Sequence, residues 1–300
     1  MDIVHAAEMP WGESLVAQRA GGEVAHKRLF EGDEDSPDNY MLVMSREPKS
    51  FFSPRHRHPW DQIRFCLEGR IPIAKGLFVE GGEIAYFPES THYGPQEGGD
   101  DRIVVLLQFG GASGQGFIGP DRVKQARLEL EKEGRFEGGV FTRETAEGRR
   151  NWDAYEAIWL HVKKGALSYA PPVYKAPIVM RPDALPWLRS SEEGVSVRQI
   201  GVFPHRGLSL NAWRIEPGAR HQIPAQRALR LLFVTEGSGS IGGEELRRWS
   251  AVRLQPGEGA EVRAASELQM TEIAVRPIAE LQVGFRSDAP SGGATAMGSS

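Results

Sequence analysis

The chain has 300 residues, 40% apolar and 25% charged, with 35 Gly, 20 Pro, one Cys and a net charge of −4 at pH 7. That length suits two domains of about 150 residues, and the balanced composition argues against wholesale disorder and against a strongly basic nucleic-acid binder. Abundant Gly and Pro favour short strands over a helical bundle, the lone Cys66 allows neither an internal disulfide nor a cysteine-based zinc site, and no apolar run reaches the ~20 residues of a membrane span.

The opening MDIVHAAEMPWGES lacks a basic stretch followed by an apolar one, so it does not read as a secretory signal, and a cytoplasmic location is expected. Residues 31–39 (EGDEDSPDN) read as a solvated loop whose acid spacing fits no calcium loop. Residues 40–46 read as a strand. From Phe51 to Val105, short apolar runs (IRFCL, GLFVEG, IAYFP and RIVVLLQF) alternate with Gly and Pro, the pattern of an antiparallel β domain, drawn here over 1–118. The Gly-rich stretch 110–119 is followed by no Lys-Ser/Thr and opens no helix with G-x-G-x-x-G, so it reads as a loop or lid. Residues 121–133 are strong helix formers, and 143–164 place Trp152, Tyr155, Trp159 and Val162 on one helical face. Two helices docked on the β core are expected there. With the extended linker 170–187, which carries five prolines, they form an insert over 119–187. The β pattern resumes from Val195 to Pro277, giving a second β domain over 188–286. The small, polar tail 287–300 is expected to be disordered.

The stretch that carries chemistry is His56-Arg57-His58-Pro59-Trp60-Asp61-Gln62, followed by Gly69, Gly82, Pro88 and His92. In extended geometry residues 56, 58 and 62 share one face. Two histidines at i and i+2, with a third ligand from a neighbouring strand, make a facial metal set that leaves positions open. His92 follows a second apolar run and could be that third ligand. By the same parity Arg64 points inward, where it needs either a substrate carboxylate or phenolate, or an ion pair with Glu83 or Glu68. Asp61 rivals Gln62 as the oxygen ligand but has the opposite parity. Ile63, Phe65 and Leu67 form an apolar outer face that a second domain or subunit must cover. Trp60 and Tyr93 flank the ligand positions and would either line the pocket mouth or, as each taken alone favours, pack in the core. Cys66 has no nearby base and reads as a buried, inert thiol.

This constellation resembles the cupin superfamily. Its first motif is H-x-H, three or four residues, Glu, six residues, Gly; its second is Gly, five residues, Pro and then a His. His56, His58, Gly69, Gly82 and Pro88 match, Gln62 stands where the Glu belongs, Ser90 replaces the turn glycine, and His92 comes one residue early. Aligning IRFCLEGRI with LLFVTEGSG sets Gly237 against Gly69 and puts Pro224, Gln226 and Arg230 at the ligand positions, with Ala260 against His92. No ligand survives in that second copy, and His221 reads as a solvated turn residue.

The resemblance therefore implies an all-β bicupin with a helical insert. It has two jelly-roll-type antiparallel barrels, one metal-competent (40–110) and one degenerate (195–277). It implies one divalent metal held by His56, His58, Gln62 and His92, with Fe(II) favoured over Mn, Ni, Zn or Cu. A neutral ligand shell leaves the ion's full charge for an anionic enolate or phenolate, anchored by Arg64. The implied function is a non-haem Fe(II) dioxygenase acting on a small enolic or phenolic molecule. The alternatives are a non-redox metal-dependent isomerase, cyclase or lyase, and a non-catalytic ligand-binding cupin. The expected partner is a small-molecule substrate, with a homodimer possible and no nucleic acid or membrane.

Overall fold

Period-two alternation of apolar side chains governs most of the chain. A computed structural model, which describes residues 1–15, 24–146 and 148–283, turns that pattern into 22 strands among those residues. Strand β1 (Asp2–His5) crosses away from the sequence that follows it. The first barrel is then built from β2 (Ala25–Glu31), β3 (Tyr40–Glu47), β4 (Trp60–Glu68), β5 (Arg70–Ala74), β6 (Leu77–Glu80), β7 (Ile84–Phe87) and β8 (Arg102–Gly110). An insert follows: α1 (Pro120–Leu130), β9 (Arg135–Glu137), β10 (Val140–Thr145), β11 (Gly148–Asp153) and α2 (Ala154–Lys163). Strand β12 (Ile178–Met180) returns to the first barrel and pairs antiparallel with β7, so its large sheet runs β12-β7-β4-β8-β3-β2, with β5–β6 as a separate hairpin.

The second barrel comprises β13 (Leu188–Arg189), β14 (Val195–Phe203), β15 (Leu208–Ile215), β16 (Arg220–Ile223), β17 (Leu229–Glu236), β18 (Ser238–Ile241), β19 (Glu244–Arg247), β20 (Ser250–Leu254), β21 (Ala260–Ala264) and β22 (Leu268–Val275), before α3 (Ile278–Val283). Its large sheet is β1-β20-β17-β22-β15-β14-β13 and its small sheet β16-β21-β18-β19. The two short strands β1 and β12 therefore cross the boundaries drawn from sequence. Residues 284–300, including the tail expected to be disordered, lie outside the described residues. No described helix is long and apolar enough to cross a membrane.

The outer faces of the two large sheets pack on each other. Ile63 is buried there among Phe203, Leu210, Leu231, Phe233 and Ile273, with Phe65 and Leu67 partly buried against the same cluster. This is the cover that an apolar outer face requires, and it comes from the second barrel. Burying each large aliphatic side chain contributes about 1.5–3 kcal/mol. The repeat is visible in the turns: Gly69 (φ 73°) and Gly237 (φ 80°) both adopt the left-handed conformation that favours glycine, and in each a Cβ would strike a backbone carbonyl, of Asp101 and Glu267 respectively.

The insert differs from expectation in one part. Helix α2 begins only at Ala154, where Asp153 caps it by accepting from the Tyr155 and Glu156 amides at 2.8 and 3.2 Å. The preceding residues pair as the β10–β11 hairpin, with Phe141 opposite Trp152. The aromatic assigned to a helical face thus sits on a strand, because β-branched and aromatic residues at 140–142 favour the pleated surface. As expected, the helices dock on the barrel: Phe117, Val123, Tyr155 and Ile158 share one cluster with Met41, Val43 and Trp60. The insert thereby closes the mouth of the first barrel.

Candidate functional site

Strand β4 sends Trp60, Gln62, Arg64 and Cys66 inward, in the register set by its pairing with β7 and β8. The segment before it carries His56 and His58 past the chain after β7. His56 and Tyr93 exchange both backbone hydrogen bonds at 3.0 Å, which sets their side chains on the same side of the pair. Between these elements lies a cavity of about 60 Å³ whose polar lining includes His56, His58, Gln62, Arg64, Tyr93 and Gln108.

The Tyr93 hydroxyl is the centre of this lining. His56 Nε2 and His58 Nε2 each lie 2.9 Å from Tyr93 Oη, and Arg64 Nη2 donates to the same oxygen at 2.8 Å. Arg64 also donates to Gln62 Oε1, from Nη2 at 3.0 Å and from Nε at 3.3 Å. Gln62 Nε2 in turn donates to Gln108 Oε1 at 2.9 Å. His56 Nδ1 lies 2.6 Å from the Pro54 carbonyl, which can only accept. Nδ1 therefore carries the hydrogen, and in the neutral ring Nε2 offers its lone pair to the cavity. The Trp60 indole stacks on His58 with centroids 4.2 Å apart.

Of the residues singled out from sequence, His56, His58, Trp60, Gln62, Arg64 and Tyr93 come together here. His92 does not. It is exposed, beside Arg55 and Arg57, with its pKa lowered first by partial burial and then by those two cations. The placement expected for His92 is thus corrected: alternation from His56 and Tyr93 turns the preceding residue outward, and the position facing the cavity belongs to Tyr93. Asp61 lies on the outer face, fully buried, accepting from the Glu89 amide at 2.6 Å and the Tyr86 hydroxyl at 3.1 Å. Desolvation lifts its carboxyl to about 7. Glu83 pairs with Arg181, and among the described residues no carboxylate pairs with Arg64. Burial pushes the Cys66 thiol up to about 12, as an inert thiol requires. His221 is buried against Glu192 and Trp213, contrary to its reading as a solvated turn residue.

Residues of the cavity lining that were not singled out from sequence include Gln108, Gln96 and His26. Gln108 faces Gln62 directly across the β4–β8 ladder, Gln96 pairs across to Ser53, and His26 enters from β2. Burial holds His26 down to about 4, so it is neutral.

Among the described residues no three His, Cys, Asp or Glu side chains gather as a metal site. The set that does gather is two imidazoles and a phenol, with an amide oxygen 3.4 Å from the phenol. Two Nε2 atoms aimed at one point, one of them in a tautomer fixed by a backbone carbonyl, suit a divalent ion. His56 and His58 would hold it.

No family model matches the chain, and no curated protein matches it. Solved structures do. A candidate dioxygenase from Nostoc punctiforme aligns over 92% of this chain and 82% of its own, with a TM-score of 0.62 at 10% identity. Oxalate decarboxylase from Bacillus subtilis aligns over 92% and 76%, with a TM-score of 0.52 at 13% identity. Hazelnut (Corylus avellana) vicilin aligns over 92% and 85%, with a TM-score of 0.51 at 16% identity. The chain is a bicupin by fold. Identities this low establish the architecture alone, which an oxalate decarboxylase and a vicilin share.

Proposed function

We propose that this bicupin is a metal-dependent enzyme whose first barrel acts on a small anionic molecule, and in its finer form a non-haem Fe(II) dioxygenase for an enolic or phenolic substrate. One observation carries the reading. Inside the first barrel, two imidazoles present Nε2 to a common point, the Tyr93 hydroxyl, next to a buried guanidinium whose partners are all neutral atoms. A bound divalent metal supplies Lewis acidity and, if it is iron, electrons for O₂. Arg64, a buried guanidinium without a carboxylate, supplies the positive charge that an anionic oxygen in this cavity needs. Gln62, tethered between Arg64 and Gln108, keeps that guanidinium aimed into the cavity. Trp60 and the docked insert exclude water, which strengthens every electrostatic contact inside. Dioxygenases and a decarboxylase with Mn(II) centres among the structural counterparts support the reading.

Elemental analysis of purified protein should find about one divalent metal per chain, and His56→Ala should lose it while keeping the fold. Two tightly held metals per chain would overturn the assignment to one barrel. Turnover of diketones and catechols with stoichiometric O₂ uptake supports the dioxygenase. Equal turnover without O₂ points instead to an isomerase or lyase, and ligand binding with no turnover points to a binding protein.

A further inference from the structure

We infer that Tyr93 serves as the anionic donor to the metal, so that the ion is held by His56, His58 and the Tyr93 phenolate, with Gln62 a positioning residue and His92 outside the site. This rests on the metal-dependent reading above and specifies its ligands.

Three observations carry it. First, hydrogens are accounted for in one way. His56 Nδ1 gives its hydrogen to the Pro54 carbonyl at 2.6 Å, so Nε2 accepts, and the group that donates to it is the Tyr93 hydroxyl at 2.9 Å. One proton thus lies between a nitrogen lone pair and a phenolic oxygen, and His58 Nε2 approaches the same oxygen at 2.9 Å. A divalent ion replacing that proton meets all three donors. The proton leaves to solvent, His58 binds in its Nδ1-protonated tautomer, and the site gains a single positive charge. Second, Arg64 Nη2 lies 2.8 Å from Tyr93 Oη. An opposite charge at hydrogen-bond distance stabilises the phenolate at a position where burial alone would oppose it. Third, Gln62 Oε1 accepts two N–H groups from Arg64, at 3.0 and 3.3 Å. That oxygen is committed to holding the guanidinium against Tyr93. Two imidazoles and one anionic oxygen reproduce the charge of a two-histidine, one-carboxylate facial set, with positions left open for substrate.

A phenolate donor has a spectroscopic signature that histidine and carboxylate lack. Protein loaded anaerobically with Fe(II), then oxidised with one equivalent of ferricyanide per iron, should show a visible phenolate-to-Fe(III) charge-transfer band. Tyr93→Phe should lose the band and bind Zn(II), measured by chelator competition, more than about tenfold more weakly, with its circular dichroism unchanged. His92→Ala should keep both the band and the affinity. If Tyr93→Phe does not fold, Arg64→Leu provides the second arm: removing the guanidinium raises the phenolate's energy and moves the band to longer wavelength. A wild-type protein that binds Zn(II) with no band after iron oxidation, Zn(II) affinity unchanged in Tyr93→Phe or lost in His92→Ala, or a band unmoved in Arg64→Leu would overturn Tyr93 ligation and leave the metal-dependent reading standing. A wild-type protein that binds neither metal would overturn both.

Discussion

On the inner face of β4 the first barrel carries Gln62, Arg64 and Cys66, while the matching strand β17 of the second carries Arg230, Leu232 and Val234. Around Leu232 and Val234 the second barrel is filled by Ile215, Ile223, Val252 and Val262, all buried and all aliphatic. Its inward charges include Arg230 and Glu272, 4.0 Å apart, with Arg230 donating to the Glu258 carbonyl and Glu272 accepting from Trp213 Nε1 at 2.7 Å. Besides the apolar cluster that Met41, Val43 and Trp60 form with the insert, the first barrel has an apolar layer around Cys66, Ile71, Val79 and Phe87. Above that layer it holds two histidines, a tyrosine, an arginine and two glutamines in mutual hydrogen bonds. One frame has thus been filled in two ways. The aliphatic filling contributes burial free energy directly, whereas the polar filling must be satisfied group by group and is retained for chemistry.

The sharpest way to break this comparison is to exchange the fillings. Val234→Arg, which puts a buried cation like the first barrel's into the aliphatic part of the second, opposite Met270, should cost more than about 4 kcal/mol in denaturant unfolding, because the charge has no partner among those neighbours. A loss below ~1 kcal/mol would mean that the second barrel is not the packed core described above.

A smaller effect should come from pH. His26 is neutral in the fold, with its pKa held by burial at about 4 against 6.5 for the ordinary side chain. The unfolded chain therefore binds the proton more readily. Its contribution to stability is complete above pH 6.5 and is lost as the pH falls towards 4, by about 3 kcal/mol from that shift. Asp61, whose carboxyl the fold raises to about 7, acts in the opposite direction over the same range, so the share shows as a difference: between pH 7 and pH 4.5 the stability of the wild type should fall relative to that of His26→Gln. An identical pH slope in the variant would show that His26 is not the group responsible.

The smallest stability effect is expected from the reverse exchange, Arg64→Leu. Removing the buried cation relieves its desolvation cost but leaves Gln62 Oε1 without its two donors, and these opposing effects should keep unfolding within about 2 kcal/mol of wild type. Binding of small anions, followed by calorimetry, should disappear.

Period-two alternation was enough to read β4 from sequence. It separated Ile63, Phe65 and Leu67 from Gln62, Arg64 and Cys66, and it left Asp61 on the outside. The degenerate second copy was equally legible, since residue identity alone shows that Pro224, Gln226, Arg230 and Ala260 supply no imidazole. The cavity's central residue was half legible. A count from Pro88 puts His92 one residue early, and that offset marks Tyr93 as the inward residue. The chemical habit of looking for histidine favoured its neighbour. Ser90, with φ 65°, supports the turn that fixes this phase, and its dihedral is not written in the residue type. Gln108 and His26 were illegible for another reason: each joins the site through a strand pairing far along the chain, and only register reveals it. The β10–β11 hairpin was missed because Trp152, Tyr155 and Trp159 fit a helical spacing until the Asp153 cap divides them.

The exchange of β1 and β12 sets an order of events during synthesis. Asp2–His5 is made long before its pairing partner Ser250–Leu254. Strand β7 of the first barrel likewise waits for Ile178–Met180, on the far side of the insert, before its edge is covered. Strand β1 is therefore left unpaired and the edge of β7 exposed until distant sequence arrives, a state that invites pairing with other chains. The sequence-distant closures slow folding, and they tie the two barrels into one unit of inheritance. A gene split between the barrels would strand β1 with the wrong product, however well each barrel's own core were preserved.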